Sequence, residues 1–191
     1  MESTKFRPEW TEKSPAPGTY RSIFKYGDPG HFKHPSDAWY RMLKRDFNLS
    51  DADFASRKKE GLEQVSLNRP SKLNPQHIEA IQAIVGKENV AGDDYSRVKY
   101  ASGKTTEEML EMRHGIIHEV ADLVVHPRDK NDIQKIVAYC DKEKIPVTVF
   151  AAGSSVNLGC RPTRGGISLV VSTHMNKLLE INEINQTARV Q

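Results

Sequence analysis

Residues 145–159 (IPVTVFAAGSSVNLG) constrain what this chain can fold into more than any other stretch. Pro146 to Phe150 is rich in β-branched and aromatic residues and fits a pleated, buried strand. The run then stops at Ala151, Ala152, Gly153, Ser154 and Ser155, all small, so the backbone can turn tightly and leave its N–H groups facing outward. Gly153 tolerates positive φ, the serines add hydroxyls, and successive amides in such a turn form an anion-binding concavity. The expected guest is a phosphate. The same composition also suits an ordinary tight turn, and the loop by itself does not separate the two readings.

The flanking sequence supplies the context. Residues 121–125 (ADLVV) read as a short apolar strand halted by His126-Pro127. A helix follows, capped by Asp129 with Asp132 at its third position and buried through Ile133, Ile136, Val137 and Cys140. Strand, helix and strand within about 30 residues make a βαβ unit, whose right-handed crossover leaves its two strands parallel. The loop then lies at the C-terminal end of a parallel strand, where α/β sheets gather their ligands. Beyond it, Gly165-Gly166 turns the chain into residues 167–171 (ISLVV). Residues 177–181 and 187–191 supply two more strands joined by a NEIN turn. The expected class is α+β with an α/β-like βαβ start.

Upstream, residues 1–35 are punctuated by Pro and Gly yet carry Trp10, Tyr20, Phe24, Tyr26 and Phe32, which predicts extended chain that docks on something else. Ser36 reads as an N-cap for a helix bearing Trp39, Met42, Leu43 and Phe47. Ser50 with Asp53 opens another that carries Phe54 and fades into SRKKEG, a solvated charged face. The clearest local signal is Asn74-Pro75, a cap followed by proline in the first turn, with Leu73 placed to staple onto Ile78. Its buried stripe is Ile78, Ile81, Ile84 and Val85, and Gly86 ends it. A loop then leads to a helix opened by Thr105 and Glu108 as a capping box, with Met109 and Met112 inward as packing residues. His114 and His118, beside Glu119, have the spacing of two imidazoles on one helix face. Zinc needs further ligands and Gly115 follows the first His directly, so these residues read as a helix end, and no metal site is assigned.

Composition excludes several classes. Hydrophobic residues make up 37% of the 191 and charged residues 28%, and no apolar run approaches the roughly 20 residues of a membrane helix. The net charge of +3 is spread as 14 Lys+Arg against 10 Asp+Glu in residues 1–72 and 14 against 15 in residues 73–191, too diffuse for a nucleic-acid face. Cys140 and Cys160 form no CxxC motif, and the N-terminus MESTKFRPEW lacks the apolar core of a secretory signal, which together predict a reduced, cytoplasmic protein. The expected division is a helical and aromatic preface over 1–72, a helical lead-in over 73–118, and an incomplete cofactor-binding subdomain over 119–191.

The order DLVVHP, DIQKIVAYC, IPVTVFAAGSSVNLG and GGISLVVSTHMNKLLEIN resembles the N-terminal part of the FAD-binding domain of the vanillyl-alcohol oxidase type of flavoproteins, the PCMH-type fold. IQAIVGKENV is similar to that family's opening helix. SRVKYASGKTTEEMLEMRHG, and the pairing of STHMNKLLEI with NEINQTARV, resemble its ether-lipid-forming branch. The resemblance covers residues 73–191; residues 1–72 match only through FKYGDP. It implies that the loop wraps the FAD pyrophosphate through Ala151, Ala152, Gly153, Ser154, Ser155, Val156 and Gly159, with Ser172 and Met175 in a second cofactor-contacting turn. Ala151 and Ala152 stand where the family usually has glycine, and Val170 where it commonly has an acid. Ser154 stands where tethered relatives carry His, so the FAD is expected to be non-covalent.

By the same resemblance, a second subdomain and a substrate domain carrying the reacting residues would complete the enzyme. The chain is therefore expected to be an N-terminal part with no catalytic residue of its own, weak FAD binding in isolation and a tendency to oligomerise. The implied reaction of the whole enzyme, on a small-molecule or lipid-phosphate substrate, is exchange of the acyl chain of acyl-dihydroxyacetonephosphate for a fatty alcohol, or oxidation of a hydroxy acid or alcohol. A cofactor-free remnant or interaction protein is the alternative.

Overall fold

The structure, a computed structural model, describes residues 15–23, 36–55 and 61–191. Trp10, Phe24, Tyr26, Phe32 and most of the SRKKEG run lie outside the described residues. The chain divides into two compact units, residues 1–65 with 109–116 and residues 66–108 with 117–191.

Among the described residues of the first unit are the short helices α1 (Tyr20–Ile23), α2 (Asp37–Asp46) and α3 (Asp51–Ala55). The Trp39 amide donates to Ser36 Oγ at 3.2 Å, and the amide and hydroxyl of Ser50 both donate to the Asp53 carboxylate at 2.7 Å. These are the caps the sequence predicts. The apolar stripe of α2 is not sequestered: no residue of this helix is buried, and Trp39 and the following Phe47 are exposed. A further helix, α6 (Thr106–Arg113), ends within this unit, its Met112 buried. The His114 amide closes back on Leu110 and Glu111 and Gly115 takes φ +71°, so the helix stops before His118. The two imidazoles therefore share no helix face. Among the described residues no group of three His, Cys, Asp or Glu could hold a metal ion.

The second unit is built on α4 (Pro75–Val85), a 3-10 turn at Lys87–Asn89, β1 (Val90–Ala91), α5 (Asp94–Lys99), β2 (Leu123–Val125), α7 (Lys130–Glu143), β3 (Val147–Phe150) and β4 (Ile167–Val170). Asn74 accepts from the Gln76 amide at 3.0 Å and Gly86 ends α4 at φ +88°. The sheet order is β1-β2-β4-β3, with β1 antiparallel to β2 and the other three strands parallel. Two features depart from the sequence reading. β4 pairs with both β2 and β3, so the strands of the βαβ unit are parallel but not neighbours. β1, a two-residue strand with no turn signal ahead of it, was not expected at all.

β3 is consequently an edge strand, and Val149 is 59% exposed, against the buried strand that composition suggested. Composition reports that a residue suits a pleated surface; the strand's place in the sheet decides what covers it. On α7, Ile136 and Cys140 are buried but Val137 is exposed, because it lies one residue, about 100° of helix, off the line of contact.

One core contains Ile81 and Val85 of α4, Leu123 and Val125 of β2, Ile136 and Cys140 of α7, and Ile167 and Leu169 of β4. A smaller cluster joins Val124, Phe150, Val170 and Cys160. The alternation along β2 and β4 assigns these clusters to opposite faces of the sheet. Asp132, buried at the start of α7, is held by Arg128 Nε at 2.7 Å, and the same guanidinium donates to the Ile84 carbonyl at the end of α4 at 2.8 Å. The turn into β4 is fixed by Asp122, whose carboxylate accepts from the amides of Lys72 and Gly166, each at 2.8 Å. Gly166 takes φ +73°, and a side chain there would overlap the Pro146 carbonyl, so only glycine serves.

The predicted hairpin forms as β5 (Leu178–Asn182) and β6 (Thr187–Val190), an antiparallel sheet of its own with an irregularity between Leu178 and Glu180. No helix among the described residues is long and apolar enough to cross a membrane.

Candidate cofactor-binding site

The three parallel strands end on one side of the sheet, and each exit contributes to one neighbourhood. β2 leads into His126, β3 into the 151–159 loop, and β4 into Ser172, Thr173 and His174. The antiparallel β1 brings Asn89 to the same end, since Val90 pairs with Val125.

Of the residues the sequence singles out, Ala151, Ala152, Ser154, Val156 and Gly159 are exposed, Ser155 and Met175 are half-buried, and Gly153 is buried. Ser172 Oγ donates to the Ala151 carbonyl at 2.8 Å, and the Val171 amide donates to Phe150 at 3.0 Å, so the turn after β4 is tied to the start of the loop. The loop braces itself as well: the Gly159 amide donates to Ser155 Oγ at 3.2 Å, and that hydroxyl donates to Asn157 Oδ1 at 2.8 Å. Met175 folds back locally, its amide donating to the Val171 carbonyl at 3.3 Å. Gly153 takes φ +65° and a side chain on it would run into the Phe150 ring. This glycine is required by packing whatever sits above the loop.

Several contributors were not singled out from the sequence. The Lys104 amide donates to the Ser155 carbonyl at 2.8 Å, and Gly103 lies so close to that carbonyl that a side chain would overlap it. Tyr100 packs edge-on against Phe150, centroids 5.0 Å apart, and against His126 at 5.5 Å, while its carbonyl accepts from Ser168 Oγ at 3.0 Å. His126 Nδ1 lies 2.7 Å from Thr173 Oγ1, and His174 Nε2 lies 2.7 Å from Asn89 Oδ1. The sequence signal for the first group was the small-residue run Ala101-Ser102-Gly103 ahead of Lys104. In the sequence His126 reads only as the stop of a strand.

Two basic side chains at this end are shifted by their surroundings. Burial pushes the His126 imidazole below its ordinary value, and the charges of His174 and Lys99 push the same way. Burial likewise lowers the Lys104 ammonium, with Glu108 opposing and Lys99 adding to the effect. Burial is the larger cause in both cases, and a bound negative group would favour the charged form of each. A braced, small-residue loop at the carboxyl ends of parallel strands, with Lys99 and Lys104 nearby, fits a pyrophosphate.

Comparison with known proteins agrees with this geometry. Residues 121–191 match the family model described as FAD binding domain. Residues 121–191 thus correspond to part of an FAD-binding domain, and this match supports FAD as the cofactor. It is 30% identical over 113 residues to the glycolate oxidase subunit GlcD of Bacillus subtilis, covering 59% of this chain and 22% of that protein. It is 23% identical over 155 residues to the alkyldihydroxyacetonephosphate synthase of Trypanosoma brucei brucei, covering 78% and 25%. A solved structure of an alkyldihydroxyacetonephosphate synthase superposes with a TM-score of 0.60 at 20% identity, over 68% of this chain and 25% of that one. The fold is therefore that of the PCMH-type FAD-binding domain, and the chain spans about a quarter of the length of these relatives.

Proposed function

We propose that the 151–159 loop is the wall of the FAD site that faces the pyrophosphate, and that the protein serves an enzyme of the alkyldihydroxyacetonephosphate synthase kind. The observation that carries the first part is the convergence of the loop, His126 and the Ser172 turn at the carboxyl ends of three parallel strands, beside Lys99 and Lys104. The amides of residues 151–156 hold the phosphates, Ser154 and Ser155 add hydroxyls, and Ser172 keeps the second turn in register. When bound, FAD supplies the isoalloxazine ring on which the chemistry occurs. Ser154 offers no imidazole for a covalent tether, so the cofactor is held by contacts alone.

The synthase reading, exchange of an acyl chain for a fatty alcohol with no net redox change, is supported by the reach of that match, which covers 78% of the chain and so extends well upstream of residue 121. Oxidation of a hydroxy acid is the second reading, favoured by the higher identity to the glycolate oxidase subunit.

Amide chemical shifts during titration with FAD, and with inorganic pyrophosphate as a probe, test the site even where binding is weak. The shifts should concentrate in residues 151–156 and at His126, and Ala152→Asp, which sets a carboxylate on the loop, should weaken binding at least about tenfold. Shifts confined elsewhere, or unchanged affinity in Ala152→Asp, would show that the loop is an ordinary turn. Acid precipitation of flavin-loaded protein should leave the pellet colourless.

A further inference from the structure

Glu108 was expected only as one half of a capping box, and it fills that role: its own amide donates to Thr105 Oγ1 at 3.0 Å, and the Thr105 amide returns to the Glu108 carboxylate at 3.3 Å. A surface capping box needs no more. Here, however, the side chain is 2% exposed and carries two further partners. The Gly103 amide donates to Oε1 at 3.2 Å, and Arg161 Nε lies 3.5 Å from the same oxygen. A buried carboxylate is tolerated only when its lone pairs are satisfied and its charge is matched, and both conditions are met from segments far apart in sequence.

Those segments are the two flanks of the loop. Residues 103 and 104 touch it from one side, through the Lys104 amide on the Ser155 carbonyl and the close approach of Gly103 to that same group. Arg161 follows it on the other side, its amide donating to the Leu158 carbonyl at 3.1 Å. Leu158 sits in the left-handed region at φ +64°, a conformation that leucine rarely adopts unless its surroundings enforce it.

We propose that Glu108 is a positioning residue for the FAD loop, clamping residues 103–105 to Arg161 so that residues 151–159 are held in their binding shape before the cofactor arrives. The inference rests on the reading of that loop as the pyrophosphate wall. A preorganised loop spares the ordering cost at binding, so the clamp sets affinity more than it sets the stability of the sheet. Arg161→Gln should act like Glu108→Gln, and the double variant should add little to either, because the two residues act as one unit.

The test uses the whole chain in two measurements. Hydrogen exchange without flavin reports the clamp directly: amides of residues 154–160 should exchange at least about tenfold faster in Glu108→Gln, with those of β2 and β4 changed less than about twofold. FAD titration should then show affinity lowered about tenfold, the loss of one or two charge-assisted hydrogen bonds. Should Glu108→Gln fail to fold, Arg161→Gln, whose side chain is on the partly exposed side of the pair, carries both measurements. Loop exchange within about twofold of wild type in a folded variant overturns the clamp. Faster exchange with undiminished affinity, while Ala152→Asp does weaken FAD, overturns its role in binding and leaves the loop assignment standing. If neither Ala152→Asp nor Glu108→Gln alters affinity, the loop assignment itself has failed and the inference falls with it.

Discussion

β4 and the β5–β6 hairpin read almost alike in sequence and end in opposite circumstances. Ile167 and Leu169 are 0% and 2% exposed, whereas Ile181 is 63% exposed and Leu178, Leu179, Ile184 and Val190 are exposed with it. Both have the residues of a strand, and both are strands. β4 has hydrogen-bonded partners on each edge and packs in a core with α4 and α7; among the described residues the hairpin pairs only with itself. Strand propensity states that a segment suits a pleated sheet, and burial is conferred by what packs against it.

The largest effect that would break this comparison is a matched pair of truncations. Leu169→Ala should cost about 2–5 kcal/mol, the range for emptying a packed core site, while Ile181→Ala should change stability by less than about 0.5 kcal/mol. Urea unfolding of the two variants decides it; equal losses would mean that the hairpin's apolar face is covered in solution, and sedimentation would then show by what.

Much of this contrast could not be read from the chain. Local chemistry was legible wherever cause and effect lie within a few residues: Asn74 and Pro75 starting α4, Gly86 ending it, Asp129 capping α7, Thr105 facing Glu108. The small-residue loop after β3 and its place at a strand's carboxyl end were legible too. What was not legible is pairing at a distance. Periodicity assigns a residue to a face but not to a neighbour, so neither the insertion of β4 between β2 and β3 nor the exposure of Val149 could be foreseen. The same holds for Glu108, whose second set of partners arrives from residue 161.

A smaller effect separates the two regions by pH. The Arg128 guanidinium holds the Asp132 carboxyl below its usual range, against an opposing contribution from burial. A depressed carboxyl contributes stability that is present above its unfolded value, near 3.8, and lost as pH falls through the folded value. Stability of the sheet should therefore decline below about pH 4. Asp132→Asn should cost about 1 kcal/mol at pH 7, a modest figure because Arg128 is half exposed, and should flatten that acid slope. Thermal unfolding across pH 2–7 checks it; an unchanged slope in the variant would show that the Arg128–Asp132 ion pair at the start of α7 contributes nothing.

The least perturbing comparison is chemical. Burial pushes the Cys140 thiol up to about 11, so at pH 8 it is neutral and sheltered and should resist alkylation in the folded protein. A thiol introduced by Ile181→Cys should react at the rate of a free peptide. Mass spectrometry after brief iodoacetamide treatment reads both sites at once, and rapid labelling of Cys140 would reveal opening between α7 and the sheet.

The position of β4 also dictates an order of events as the chain is made. Leu123 must wait for Ile167, 44 residues later, before it gains its parallel partner, and until then β2 has only the two residues of β1 to pair with. β3 leaves the ribosome with no strand to pair with, because its sole strand partner among the described residues is also β4. At roughly 5–20 residues per second, helix α7 has ample time to form while the strands on either side of it stand idle. The sheet then closes in a single late step whose cost is set by loop closure over both separations. A nascent chain halted before residue 167 would display helices and no more of the sheet than the two-residue β1–β2 ladder, and the cofactor loop, already synthesised, would have no paired strand end to stand on.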